Sequence, residues 1–340
     1  MEDDGLRILI LPKEPYPLER IRLKELFIKY MAEKGSRLTW VVYSKEKQSD
    51  RKRELMDGNN RFLVTRSEGT GSRISIFRNR IHRIRNRKIV KELIRENSYD
   101  LILANDGVIE GLIGCRLAGK NGIPFAFYLS SLFFDIERQQ FRSEKSIITF
   151  VRYVENMLKV PFYNHLIGKS DMFHPISRWM GEYYRDRKKD DVFPLPLCSS
   201  DIFLDRNISI DPHSSTLIYI GHIVEMRKIE FLYDIMEIVK ESIPNARLVI
   251  VGRIFNKKYR EYLDEYGAKK GLGGSIEIIE YVPRERIPRL LEDSVIGLSV
   301  LPPILAYEVS SPTKVVEYLS VGLPVVANNE IRDQEYIISE

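Results

Sequence analysis

The amino-acid sequence predicts an α/β fold made of two doubly wound parallel sheets in tandem. Short runs of β-branched residues alternate with amphipathic stretches along the chain, which is the pattern that successive βαβ units produce. A segment rich in proline, serine and aspartate interrupts this alternation once, at residues 191–214. We therefore expect a first domain at 1–190, a linker at 191–214 and a second domain at 215–340. Such sheets bind ligands at the carboxyl ends of their strands, so the pair predicts a central cleft that holds the substrates.

The first domain opens with an apolar run at residues 6–12, which predicts a buried strand. The amphipathic stretch 18–35 predicts a helix that Gly35 can end, because glycine readily adopts the left-handed conformation. The remaining strands are predicted at 38–44, 99–106, 123–130 and 170–177, and the remaining helices at 75–97, 107–122, 146–169 and 178–186. The long apolar helix at 146–169 is expected to belong to the core.

The second domain repeats the alternation. The β-branched run 215–223 predicts its first strand and the amphipathic stretch 228–246 its first helix. Further strands are predicted at 247–254, 275–282, 295–302 and 323–330, with helices at 257–271 and 283–294 between them. A last helix should begin near Ser311 and end before Gly322.

Composition excludes several classes of protein. The chain has 340 residues, of which 44% are hydrophobic and 30% charged, as in folded globular proteins rather than disordered ones. No apolar run reaches the roughly 18 residues that would predict a membrane-spanning helix. Cys115 and Cys198 lack the spacing of a zinc site or a disulfide framework, which favours a reducing cytoplasm. No G-x-G-x-x-G motif follows a strand, so the signature of a dinucleotide-dependent oxidoreductase is missing.

The segment Ser310–Lys314 has the features of a helix start that binds an anion. Serine favours the N-cap and proline the first helical position, while the first turn exposes backbone N–H groups at the positive end of the helix dipole. Lys314 adds a full positive charge, and Glu317 follows on the same face, roughly 7–8 Å from the helix start. That distance suits a diphosphate and a ribose, whose two hydroxyls one carboxylate can accept. A solvated Lys–Glu pair on a well-capped surface helix is the alternative that these residues leave open.

Residues 310–330 resemble the donor-site segment of retaining glycosyltransferases with the GT-B fold, specifically glycosyltransferase family 4. The run Glu317–Ala327, which reads EYLSVGLPVVA, is similar to the family pattern E-[YA]-[ML]-[AS]-x-G-x-P-V-V-A. The resemblance is specific over residues 215–330 and looser before them. It implies two Rossmann-like domains facing a central cleft, and transfer of a sugar from a nucleotide-sugar to an acceptor with retention, without a metal or another cofactor. Compared with that family, the second domain is expected to be short at its C-terminus.

The resemblance also implies roles for individual residues. Glu317 would hold the ribose and the amides of Thr313 and Lys314 the diphosphate. Arg227, with Lys228 beside it, would neutralise the departing diphosphate, where negative charge develops in the transition state. The implied donor-binding set is Gly221, His222, Gly252, Arg253, Ser311, Pro312, Thr313, Lys314 and Glu317, and the implied catalytic set is Arg227, Lys228 and Glu308.

Several positions depart from the family pattern, two of them in the predicted donor and catalytic sets. His222 stands where arginine is usual, and Glu308 lies one residue out of register with a glutamate that contacts the donor sugar. Because of such departures, two alternative functions stay open: a non-catalytic nucleotide-sugar-binding protein and a sugar-nucleotide epimerase of the same fold.

The predicted helix at 75–97 combines an apolar stripe with dense positive charge. Its cations include Arg78, Arg80, Arg83, Arg85, Arg87 and Lys88, and residues 1–200 carry about +11 of charge against about −6 for the remainder. Such a helix suits an anionic membrane surface, which implies a lipid-linked or sugar acceptor and contact with the inner face of the membrane. An amphipathic helix with a solvated outer face is the alternative. Nucleic acid is not expected, because no accompanying aromatic residues or known motif supports it.

Overall fold

The computed structural model describes residues 5–69, 73–204 and 209–340. The chain divides into two compact units, each built around a sheet of mainly parallel strands covered by helices. The predicted fold class of two Rossmann-like α/β domains is confirmed. Within the described residues, no helix has both the length and the apolar character needed to cross a bilayer.

The first unit contains the described residues up to Ser131 together with Met157–Pro196. The second contains Leu132–Asn156 together with the described residues from Leu197 onward. Residues 132–156 thus pack with the second unit, although they precede the predicted linker. The change of unit falls inside that linker, and part of the linker, residues 205–208, lies outside the described residues.

The secondary structure follows the predicted alternation closely. The strands are β1 (Arg7–Pro12), β2 (Arg37–Tyr43), β3 (Lys47–Asp57), β4 (Asn60–Glu68), β5 (Leu101–Asn105), β6 (Phe125–Leu129), β7 (Met172–Pro175), β8 (Thr216–Ile220), β9 (Arg247–Val251), β10 (Ile276–Ile279), β11 (Ile296–Ser299) and β12 (Val325–Ala327). The helices are α1 (Arg73–Arg85), α2 (Arg87–Glu96), α3 (Val108–Asn121), α4 (Phe133–Glu144), α5 (Ile147–Met157), α6 (Val160–Lys169), α7 (Arg178–Tyr183), α8 (Glu230–Ser242), α9 (Lys257–Lys269), α10 (Ile287–Glu292), α11 (Leu305–Glu308), α12 (Thr313–Ser320) and α13 (Arg332–Ser339). A π-helical segment at Leu23–Met31 and short 3₁₀ turns at Asp201–Phe203, Glu225–Arg227 and Arg284–Arg286 complete the chain's described elements.

The sheet of the first unit has the strand order β3-β4-β2-β1-β5-β6-β7. All neighbouring strands are parallel except β3 and β4, which form an antiparallel hairpin at the edge. Sequence analysis predicted neither strand of this hairpin. The residues of β3 are mostly polar and exposed and so lack a strand periodicity, whereas β4 is largely buried and was missed all the same. The signal was in the turn: Asp57-Gly58 is a hairpin dipeptide, and Gly58 adopts a φ of 54° there.

The sheet of the second unit has the order β10-β9-β8-β11-β12, and every neighbouring pair is parallel. One face is covered by α8 and α9, which bury Leu232, Met236 and Leu263. The other face buries Phe203, Leu291 and Tyr318. Since the parallel strands of one sheet end at the same edge, the loops after β8, β9 and β11 come together at the carboxyl edge.

Candidate functional site

The candidate site lies at the carboxyl edge of the second unit's sheet. Helix α12 begins there at Thr313, two residues later than predicted, and Pro312 rather than Ser311 occupies the N-cap. Ser311 is buried, and its Oγ has no hydrogen-bond partner among the described residues. At the other end, Gly322 adopts a φ of 76°, the left-handed conformation expected of a residue that ends a helix.

A buried lysine and a half-buried arginine share one tyrosine at the start of α12. Lys314 is only 8% exposed, and its Nζ lies 3.8 Å from the centre of the Tyr219 ring. The Arg227 Nη1 donates a hydrogen bond to the Tyr219 hydroxyl at 3.3 Å, and the guanidinium lies 5.9 Å from the Tyr307 ring centre. The Lys314 ammonium has no hydrogen-bond acceptor among the described residues. Buried positive charge without a carboxylate partner is costly, so this arrangement favours an anionic ligand.

The pKa values of this group reflect the crowding of positive charge. Burial, together with the charge of Arg227, lowers the pKa of Lys314 to about 8. Burial favours the neutral phenol of Tyr219, but the charges of Lys314 and Arg227 outweigh it and lower the tyrosine pKa. Burial and the same cations also lower the pKa of His222, so its imidazole is mainly neutral near pH 7. The site therefore loses positive charge as the pH rises through about 8.

The Glu317 carboxylate is buried and has a partner that sequence analysis missed. Glu317 is 4% exposed, and Arg284 Nη2 donates a hydrogen bond to its Oε1 at 2.6 Å. The Arg284 guanidinium lies 5.2 Å from the centre of the Phe203 ring. Burial raises the pKa of Glu317, while the charges of Arg284 and Lys314 oppose that shift. Arg284 thus holds the Glu317 carboxylate in place. The only feature of the sequence that could have indicated a role for Arg284 was its position shortly after the strand β10.

The glycines of the site allow backbone segments to approach each other closely. A Cβ on Gly252 would lie 1.8 Å from the carbonyl oxygen of Gly221. A Cβ on Gly221 would lie 2.6 Å from Arg227 Nη1. Both glycines were predicted as donor-binding positions. In the structure, the absence of a side chain at each lets the backbone segments pack together and lets Arg227 lie against the end of β8.

The other predicted residues occupy more open positions. Lys228 is 53% exposed and lies 3.7 Å from Glu230, so its charge is exposed to solvent and close to a carboxylate. Arg253 is exposed and lies over Phe255, whose ring also contacts that of His222. Glu308 is the half-buried last residue of α11.

The basic residues of the first unit divide into two groups. Arg83 is not part of an exposed cationic face, because it forms a bidentate pair with the Glu110 carboxylate at 2.6 Å for both contacts. Arg78, Arg85, Arg87 and Lys88 are exposed, and Arg80 is half-buried. The predicted single helix is broken at Asn86 into α1 and α2.

A second charged cluster, which sequence analysis missed, lies at the carboxyl edge of the first unit's sheet. Asp106 is fully buried and follows β5 with a φ of 57°. It accepts hydrogen bonds from the Ser130 amide and hydroxyl, both at 2.6 Å, while Arg22 donates to Asn105 at 2.9 Å. Arg20 also lies 3.3 Å from Asp106. The cluster occupies the edge where sheets of this kind bind ligands.

A family model matches the part of the chain that contains this site. Residues 202–340, the part that carries the paired cations and Glu317, match the family model described as "Glycosyl transferases group 1". This part of the chain is therefore similar to the glycosyltransferases that this model describes. No curated protein matches the chain in sequence.

Several solved structures share the fold over nearly the whole chain. Sucrose-phosphate synthase from Thermosynechococcus elongatus superposes with a TM-score of 0.67 at 14% identity, covering 95% of this chain and 81% of its own. The E. coli trehalose-6-phosphate protein bound with UDP-2-fluoro glucose gives a TM-score of 0.63 at 12% identity, covering 94% and 83%. Anabaena HepE in complex with UDP and glucose gives 0.58 at 14% identity, covering 95% and 80%. At these identities the likeness establishes the GT-B-like fold.

Proposed function

We propose that this protein is a retaining glycosyltransferase, similar to family 4, that moves a sugar from a nucleotide-diphosphate sugar to a sugar or lipid-linked acceptor. The observation that carries the proposal is the pair of cations at the start of α12, the buried Lys314 and the half-buried Arg227, which both contact Tyr219. A diphosphate is the ligand class that would compensate both charges and also accept the free N–H groups of the helix.

Each residue of the site then has a defined task. The backbone amides of Thr313 and Lys314 bind the diphosphate, and the Lys314 ammonium pairs with it. Arg227 stabilises the negative charge that develops as the sugar–phosphate bond breaks. Glu317 accepts the ribose hydroxyls through the oxygen that Arg284 leaves available, since Arg284 bonds to Oε1.

The remaining predicted roles are kept as proposals. Glu308 contacts the donor sugar, and the donor lies against Gly221, His222 and Arg253. His222 acts as a neutral hydrogen-bonding group, because its lowered pKa argues against an imidazolium near pH 7. Transfer proceeds without a metal or other cofactor, and we propose a cytoplasmic location because Cys115 and Cys198 do not form a disulfide.

The acceptor side is proposed to face an anionic membrane through the exposed cations of α1 and α2. Arg78, Arg85, Arg87 and Lys88 supply the charge, since each cation near such a surface contributes about 1 kcal/mol. Vesicle flotation with and without acidic lipid tests this contact. A variant with Arg85 and Lys88 replaced by glutamate should float less well with acidic vesicles, and equal recovery of the two proteins would contradict it.

The donor affinity should depend on pH because Lys314 loses its charge within a measurable range. The lowered pKa of about 8 means that the ammonium is charged below that pH and neutral above it. Affinity for an intact nucleotide-sugar should be steady from pH 6.5 to 7.5 and then fall by up to about tenfold per pH unit above 8. Calorimetric titration across this range measures the effect. The Lys314→Arg variant should show a weaker pH dependence, because Tyr219 is then the group that still titrates in this range. A flat profile in the unmodified protein would contradict the role of Lys314.

A thermal-shift screen against UDP-, GDP- and ADP-sugars, followed by product analysis, tests the proposed activity. A donor that raises the melting temperature should yield a glycosylated product when an acceptor extract is added. Conversion of the donor without any acceptor would indicate an epimerase. Binding of donor without turnover in any extract would indicate a non-catalytic nucleotide-sugar-binding protein, and no binding of any of the three would overturn the proposal.

A further inference from the structure

A groove of about 640 Å³ opens in the first unit between α3, α6 and the junction of α1 with α2. Six of its lining residues define what is called here the α3 groove: Ile84, Arg87, Ile109, Leu112, Ile113 and Arg116. Spacings of three, one and three residues from Ile109 through Leu112 and Ile113 to Arg116 place these four side chains on one side of α3.

The apolar part of the groove is incompletely covered by the rest of the first unit. Ile84 is 57% exposed and Leu112 is 36% exposed, while Ile109 and Ile113 are half-buried. The other side of α3 is fixed in the core, where Leu117 is buried. The groove is therefore an apolar strip on a firmly packed helix, and a ligand that covered it would remove apolar surface from water.

Helix α6 forms a second wall of the groove through the exposed His165. This helix is the second half of the single helix predicted at 146–169, and its Leu166 and Ile167 are buried, as predicted for a core helix. The first half became α5, which leaves Ile147 and Val151 74% and 57% exposed, so the core prediction is wrong for α5. The wall that α6 supplies is thus anchored by its inner side.

Two arginines without a carboxylate partner lie in the groove. Arg87 begins α2, Arg116 lies in the second half of α3, and both are exposed. Within residues 5–69, 73–204 and 209–340, neither side chain forms an ion pair, and no aspartate or glutamate lines the groove. Arg83 differs from them, because Glu110 already binds it. A guanidinium fork matches the oxygens of a phosphate, so the groove combines an apolar strip with a phosphate-binding pair.

We infer that the α3 groove binds a lipid phosphate, with one apolar chain along the isoleucine and leucine side chains and the phosphate at Arg87 and Arg116. Inorganic phosphate would leave the apolar strip uncovered, and a neutral lipid would leave both arginines unpaired. A concave strip holds a single chain, whereas insertion into a bilayer needs side chains that protrude.

An acidic helix of another protein fits the groove less well than a lipid chain. The apolar residues of α3 run from Ile109 to Ile113, which is roughly 6 Å along the helix axis. A docked helix presents anchors at positions i, i+3, i+4 and i+7, which extend over roughly 10 Å. A flexible chain needs no such length of apolar surface.

The lipid phosphate deepens the acceptor side of the proposed function. That the bound lipid is the acceptor, or carries the acceptor sugar, rests on the proposed glycosyl transfer. The binding itself does not, because the groove contains none of the proposed donor-site residues.

Protection of Cys115 from alkylation tests the binding, with farnesyl phosphate as the probe. Cys115 lines the groove and is half-buried, and the half-buried Cys198 lies outside it and serves as the internal control. At ten times its dissociation constant, farnesyl phosphate should slow the reaction of Cys115 with N-ethylmaleimide about tenfold and leave Cys198 unchanged. Peptide mass spectrometry measures both rates. An unprotected Cys115, or equal slowing of both cysteines, would overturn the inference.

Two double variants separate the phosphate contact from the apolar contact. Arg87→Ala with Arg116→Ala should weaken farnesyl phosphate at least about tenfold and leave the affinity for farnesol unchanged. Ile84→Ser with Leu112→Ser changes exposed positions, so the fold should survive, and it should weaken both ligands. Lys91→Ala with Lys120→Ala is the control for the arginines, since these exposed lysines of α2 and α3 lie outside the groove lining.

Equal affinity for farnesyl phosphate in the arginine variant and the lysine control would contradict the phosphate contact. A dimer in light scattering that the Ile84→Ser and Leu112→Ser variant loses, together with an unprotected Cys115, would assign the groove to a second copy of the chain and overturn the inference.

Donor binding distinguishes a failure of this inference from a failure of the proposed enzyme. Calorimetry with the nucleotide-sugar should give equal affinities for the unmodified protein and the arginine variant. Lost farnesyl phosphate binding with retained donor binding in that variant supports the inference alone. Protection of Cys115 in a protein that binds no nucleotide-sugar would defeat the proposed function and leave the lipid phosphate site standing.

Discussion

Replacement of Arg227 by alanine is expected to slow sugar transfer by about 10²–10³-fold, the usual cost of removing one preorganised donor to a developing negative charge. The effect should be this large because Arg227 is half-buried, so water screens its charge less than at an exposed position, and because the Tyr219 hydroxyl holds it before any substrate binds. Single-turnover kinetics with saturating donor would measure the loss in the chemical step.

Lys228 offers a matched control for this prediction. It carries the same charge one residue away, but it is 53% exposed and lies beside Glu230. Lys228→Ala should therefore change the rate by less than about threefold, as expected for a screened surface charge. Arg227→Lys keeps the positive charge but loses the planar guanidinium, so its transfer rate should lie between those of the two alanine variants. Equal losses for Arg227→Ala and Lys228→Ala would show that the leaving group is not stabilised at the position of Arg227.

Replacement of Glu317 by alanine is expected to weaken donor binding by about 2–5 kcal/mol, the range for removing one partner of a buried charge pair. The variant loses the acceptor for the ribose hydroxyls and also leaves Arg284 without the partner it contacts at 2.6 Å. Calorimetry with the best nucleotide-sugar would measure the loss. Unchanged affinity in this variant would remove Glu317 from the donor site.

Arg284→Ala separates ribose binding from the stability of the pair. Burial already raises the pKa of Glu317, and the Arg284 charge opposes that shift. Without Arg284 the pKa should rise further, so the carboxylate would become protonated at a higher pH. Donor affinity of this variant should fall as the pH is lowered from 8 toward 5.5, while that of the unmodified protein should vary less. Matching profiles for the two proteins would contradict a positioning role for Arg284.

The sequence predicted those parts of the fold whose signals are local. Buried strands such as β1 and β8 are short apolar runs, and their order follows from alternation with helices. The start of α12 was predicted to within two residues because serine and proline are frequent at helix starts. The polar strand β3 was missed, since it pairs through its backbone while its side chains remain in water.

Contacts between residues that are distant in sequence, and the solvent exposure of a helix face, could not be predicted from local sequence patterns. Arg284 is 33 residues from Glu317 in sequence, so nothing in its neighbourhood indicated the contact. Arg83 belonged to a run of cations, and only the fold brings it against Glu110. The charge cluster at Asp106 was missed because Ser130, 24 residues away, completes it. Helix α5 was predicted to belong to the core because its apolar residues follow a helical period. Such a period identifies an apolar side, but it does not show whether another element covers that side.

The most direct test of the central claim is the preference of the site for a diphosphate over a monophosphate, measured by calorimetry in the unmodified protein and in Lys314→Met. The nucleoside is the one that the thermal-shift screen selects. Hydrogen bonds to charged groups contribute about 1.5–3 kcal/mol, so the unmodified protein should bind the nucleoside diphosphate roughly 10–100-fold more tightly than the monophosphate. In Lys314→Met most of that preference should disappear while affinity for the monophosphate stays nearly constant. The same preference in both proteins would contradict a diphosphate site at the start of α12.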